Sequence, residues 1–115
     1  MKWETVSMAD IGRWRSVVNE LLRNHQLVLG DACPLCRVGT LRIAFALDGE
    51  ELPTVVGGHT LLGRGRRWEW CENCFTCAYY PDSAVPDWAG SDLVDEKLGL
   101  RDPSEVIRLL SSPGQ

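Results

Sequence analysis

Cys33-Pro34-Leu35-Cys36 and Trp70-Cys71-Glu72-Asn73-Cys74-Phe75-Thr76-Cys77 are the two stretches on which the reading of this chain turns. Two cysteines at i and i+3 in a tight turn bring their sulfurs toward one point. Two such turns supply the four soft ligands of a single tetrahedral ion, and zinc is the ion that set suits best. The 34 residues from Arg37 to Trp70 separate the two turns. That exceeds the roughly 15 to 20 of the compact arrangement and leaves room for a three-stranded insertion. The cysteine count, five, is odd while the spacing is paired, which fits metal ligation better than a disulfide framework.

The fifth cysteine leaves two registers open, because Cys74-Phe75-Thr76-Cys77 is itself a Cys-x-x-Cys. Glu72-Asn73 is better turn chemistry than Phe75-Thr76. This favours Cys33, Cys36, Cys71 and Cys74 as ligands of a structural zinc ion and Cys77 as a buried thiol. An iron–sulfur cluster of the bacterial ferredoxin kind would want a further cysteine four positions after Cys77, where the chain has Pro81.

With Cys33-Pro34-Leu35-Cys36 followed by a strand, then a strand, Cys71-Glu72-Asn73-Cys74 and a returning strand, the chain resembles the zinc ribbon class over about residues 31–81. The resemblance implies a metal-held β fold and no particular activity, since zinc ribbons serve in transcription and translation factors, nucleic-acid enzymes and protein-interaction modules. One departure stands out. Arg37 and Phe75 occupy the places just after the second cysteine of each turn where glycine is often found, and Gly39 arrives two residues late.

The 115 residues, 44% hydrophobic and 24% charged, describe a single soluble domain small enough to benefit from a metal staple. No run reaches the roughly 18 apolar residues of a spanning helix. Met1-Lys2-Trp3-Glu4-Thr5 does not open a signal peptide, so a cytoplasmic location with no membrane partner is expected.

Ahead of the first turn, a helix is expected over residues 7–25. Ser7 and Asp10 form a capping pair, and Ile11, Trp14, Val18, Leu21 and Leu22 form an apolar stripe that packs on the sheet. Leu41 to Leu47 alternates into a strand with one strongly apolar face, and Asp48-Gly49 signals a hairpin. Thr54-Val55-Val56 and His59 to Leu62 are short strand candidates around a Gly57-Gly58 turn, and Gly63 to Arg67 reads as a flexible basic loop. Arg66 to Trp70 enters the second turn as a strand with Trp68 and Trp70 on one face, and Cys77 to Tyr80 returns from it until Pro81-Asp82. The segment 82–115 is acidic and helical, with a short helix over Asp92 to Leu98. A second starts at Asp102, with Pro103 at its first position and Glu105 completing the cap. The expected fold is therefore α+β: a zinc-ribbon-like antiparallel sheet flanked by an N-terminal amphipathic helix and a short C-terminal helix.

No enzyme is expected. A catalytic zinc keeps an open position, whereas four cysteines, or three with His59, close the site. The zinc deaminase pattern is missing because neither His25 nor His59 is followed by Glu two positions on. No nucleophile elbow or phosphate-binding glycine motif occurs. Binding remains, in two forms. The net charge of −4 and the seven acids against two bases from Asp82 to Glu105 suit recognition of another protein, such as an immunity or antitoxin-type inhibitor of a basic partner, through Asp87, Asp92, Asp95 and Glu96. The alternative is nucleic acid gripped by Arg64, Arg66 and Arg67 beside Trp68 and Trp70, against the plainer view that these arginines are solvated and the tryptophans are core.

Overall fold

Apolar periodicity places the elements, and hydrogen bonding sets their ends. The computed structural model describes residues 3–48, 53–92 and 103–110. In chain order they form β1 (Glu4–Thr5), α1 (Ile11–Arg23), β2 (Val28–Leu29), β3 (Leu41–Leu47), β4 (Thr54–Val56), β5 (His59–Cys71), β6 (Thr76–Pro86), a 3₁₀ turn (Asp87–Asp92) and α2 (Ser104–Leu110). The six strands make one sheet in the order β1-β6-β5-β3-β2, with β4 pairing with β5. The fold is mixed α and β, and the sheet is not wholly antiparallel: β1 runs parallel to β6, with Glu4 opposite Thr76 and Thr5 opposite Cys77. By its contacts the chain divides into two compact units, Met1–Ile43 with Glu69–Ala78 and Ala44–Trp68 with Tyr79–Gln115.

In the first unit α1 is shorter than the expected 7–25. Ser7 and Asp10 do make the contacts of a capping pair: the Ser7 hydroxyl donates to Asp10 Oδ2 at 3.0 Å, and the Asp10 N–H reaches Ser7 Oγ at 3.2 Å. These bonds stabilise the turn ahead of the helix, whose first carbonyl acceptor is Asp10, bonded by the Trp14 N–H at 3.1 Å. At the other end His25 turns left-handed at φ 55°, so that its N–H reaches the Leu22 carbonyl and the Gln26 N–H the Leu21 carbonyl. That is a Schellman ending with histidine where glycine is usual. The stripe buries Trp14, Val18 and Leu21, and the Trp14 indole donates at 2.8 Å to Glu69 on β5, a carboxylate only 1% exposed. This bond joins helix to sheet. The chain leaving α1 adds β2, which pairs antiparallel with the start of β3, Leu29 opposite Leu41.

In the second unit Gly57-Gly58 turns between β4 and β5 with φ of 56° and 81°, the type I′ geometry that matches strand twist, and Val56 pairs with His59 across it. The expected loop at Gly63 to Arg67 is instead strand. The long strand β5 runs unbroken through it because partners hold each arginine: Arg64 meets Asp82, Arg66 meets Asp48 at 3.0 Å, and Arg67 lies 4.3 Å over the Tyr80 ring. Gly65 is required by closeness, since a Cβ there would sit 1.9 Å from the Ala46 carbonyl oxygen. Both faces of β3 are covered from Ile43 to Ala46, which corrects the one-faced reading: small Ala44 and Ala46 are as buried as Phe45. Nor does β6 stop at Pro81; it continues to Pro86. A proline in a strand needs an edge, and beyond Cys77 no second strand pairs with β6 among the described residues apart from β5.

In α2 the Pro103 carbonyl accepts the Ile107 N–H at 2.8 Å, which puts Pro103 one place ahead of the first helical residue. Pro103 and Val106 are fully buried. The expected helix over Asp92 to Leu98 and the cap at Asp102 fall mostly outside the described residues, as does Gly49 of the expected turn. No helix among the described residues is long and apolar enough to cross a membrane.

Gly65→Ala should push β5 away from β3 and cost roughly 1–3 kcal/mol, as overpacking does. Urea unfolding followed by tryptophan fluorescence reads the loss as a lower midpoint with an unchanged slope.

Candidate metal centre

Each cysteine turn is closed in the same way. The Arg37 N–H donates to the Cys33 carbonyl at 2.9 Å, and the Phe75 N–H to the Cys71 carbonyl at 3.0 Å. The residues after the second cysteines, Arg37 and Phe75, are left-handed at φ 66° and 54°. The missing glycines are thus missing only as residues; the backbone takes the glycine-like conformation anyway, at about 1–2 kcal/mol for each side chain. Phe75 is held there by an edge-to-face contact with Trp3, ring centroids 5.3 Å apart.

These turns bring four sulfurs together. Cys33 and Cys74 Sγ are 3.8 Å apart, Cys36 and Cys71 Sγ 3.7 Å, and all four lie within 4.8 Å of one another. A tetrahedron with metal–sulfur bonds of about 2.3 Å has edges of about 3.8 Å, so the cluster is sized for one ion. Cys77 is not in this group: it is buried, and its backbone pairs with β1. Gly39 closes the cradle. A Cβ on it would lie 2.4 Å from Cys71 Sγ and 2.6 Å from the Asn73 Cβ, and its own N–H donates to Cys36 Sγ at 3.4 Å. Its late position, two residues past Arg37, is what carries it under the sulfurs. The donor set, size and cradle fit a four-thiolate metal ion held by Cys33, Cys36, Cys71 and Cys74.

The surroundings sort the thiols. Burial pushes Cys71 up to about 12, helped by the neighbouring Cys33 and Cys36 sulfurs against the opposing N–H groups of Cys74 and Asn73. Burial also raises Cys33. On Cys36 burial acts upward too, but the Val38 N–H, the Asn73 side-chain amide (3.3 Å away) and the Gly39 N–H together bring it down to about 6. Binding a divalent ion here would therefore displace the protons that burial keeps on Cys33 and Cys71. Beyond its place in the turn, Asn73 reaches across from one cysteine turn to the other. No residue pattern announces that, because the bond spans 37 positions.

The other predicted residues are scattered. Trp68 and Trp70 are 0% and 1% exposed, so they are core as the plainer view has them and cannot stack on bases. Arg66 is itself buried, with its guanidinium 5.3 Å from the Trp68 ring. Arg64 remains exposed beside Asp82, and Asp87 is exposed at the start of the 3₁₀ turn. Asp92 ends that turn, while Asp95 and Glu96 lie outside the described residues. No protein-family model matches the chain, and neither a curated protein nor a solved structure matches it significantly.

Gly39→Ala should force the sulfurs apart. Competition with a chromophoric chelator should show metal affinity lowered by about 10- to 100-fold, the usual range when a group supporting a metal's ligands is changed.

Proposed function

We propose that this chain is a non-enzymatic, zinc-held binding protein of the zinc-ribbon kind that recognises another protein. The observation that carries the metal part is the closed set of four sulfurs, two of them buried, spaced for a tetrahedral ion. Four protein ligands leave no position for water or substrate, which is the arrangement of a structural ion. Zinc suits it because it tolerates the tetrahedron and has no redox chemistry to control.

Two features favour a protein partner over nucleic acid. The tryptophans that would have stacked bases are core, and the strip's arginines are already engaged by Asp82, Asp48 and Tyr80. The β4–β5 hairpin, by contrast, exposes Val55 at 70% and Val56 at 57% on successive strand positions, and so on both its faces. Apolar side chains on a hairpin gain from meeting apolar protein surface and gain nothing from phosphate. The narrower reading, an immunity or antitoxin-type inhibitor of a basic partner, is supported by the net charge of −4 and the exposed Asp87.

Purified protein should carry one zinc per chain. Cys33→Ser or Cys71→Ser should lose the ion and unfold the first unit, while Cys77→Ser keeps it, as read by metal analysis and circular dichroism. A partner that co-purifies and rebinds as a pure protein should be weakened at least about tenfold by Val55→Asp. Retention of DNA or RNA that weakens steeply with salt would instead contradict the protein-partner reading.

A further inference from the structure

The four sulfurs are not equivalent. Cys33 and Cys71 are buried, so an incoming reagent meets Cys36 and Cys74, which are half-buried. Cys36 accepts the Gly39 N–H at 3.4 Å and the Asn73 amide at 3.3 Å. Cys74 instead donates to Thr76 Oγ1 at 3.4 Å and lies 3.8 Å from Cys33 Sγ, with no N–H donor to it among the described residues. The asymmetry has a structural origin. After Cys36 the chain loops under the sulfurs through Val38 and Gly39, whereas after Phe75 it enters β6 at once, and its backbone is committed to the sheet.

Each N–H that donates to a metal-bound thiolate withdraws charge from it and lowers its nucleophilicity. Susceptibility to modification then follows the charge left on sulfur and its access. We propose that Cys74 is the electrophile-reactive thiolate of the cluster and that its modification opens the metal site; this rests on the metal reading above. With an alkyl halide the step balances simply. A sulfur lone pair forms a carbon–sulfur bond, the carbon–halogen bond breaks, and halide leaves with its electron pair. The resulting thioether is neutral and a poor ligand, so a bound ion would keep only the thiolates of Cys33, Cys36 and Cys71 and would be held far less tightly. The chain thereby becomes responsive to soft electrophiles, losing the staple of its first unit when Cys74 is capped.

The test uses the full-length, metal-loaded protein, with its metal content measured first. It is treated with less than one equivalent of iodoacetamide and mapped by peptide mass spectrometry while a chelating dye follows the released ion. Cys74 should take most of the first label, several-fold ahead of Cys36, with one ion released per label. Asn73→Ala should raise Cys36 labelling several-fold toward that of Cys74. First labelling at Cys36, or on Cys77 with the ion retained, overturns the proposal while leaving the metal reading intact. A chain that holds no metal overturns both.

Discussion

Convergence of four sulfurs on one point is the constraint from which the arrangement around residues 33–36 and 71–74 follows. Neither cysteine turn has a core of its own: each is a few residues long and closed by one backbone hydrogen bond, and its sulfurs meet the other's at 3.7 to 3.8 Å. To reach that point, the segment before β3 and the junction of β5 with β6 must be adjacent. The sheet order, with β5 between β3 and β6, makes them so. A bound ion would turn that adjacency into a covalent-strength link between residues 35 positions apart in sequence.

That link explains what would otherwise be a costly local design. Arg37 and Phe75 are held left-handed without the glycine that makes this easy, and together they cost about 2–4 kcal/mol. Structural zinc contributes about 10–16 kcal/mol in small metal-folded peptides at neutral pH, several times more than those two positions take away. Gly39 shows the opposite choice. Its φ is unremarkable, yet no other residue fits, because sulfur and Asn73 occupy the space a side chain would need. Conformational freedom was negotiable at these turns and volume was not.

The same distinction separates what was legible in the sequence from what was not. The paired cysteines, the Trp14-Val18-Leu21 stripe, the Leu41–Leu47 strand and the Gly57-Gly58 turn are local patterns, and local patterns survive into the structure. Gly63 to Arg67 misled because two glycines and three arginines look like solvated loop. Only the distant Asp48, Asp82, Tyr80 and Ala46 carbonyl make it a strand. Pro81 misled similarly, since a proline ends a central strand but is tolerated on an edge. Residues that matter through space, such as Asn73 reaching Cys36 or Glu69 taking the Trp14 indole, leave no signature at any fixed spacing.

X-ray absorption at the zinc edge of the purified protein bears most directly on the central claim. The account predicts a single shell of four sulfurs at about 2.3 Å, with no nitrogen or oxygen, and its loss in Cys71→Ser. A shell containing nitrogen or oxygen, or four sulfurs persisting in Cys71→Ser because Cys77 has taken the vacated place, would contradict it.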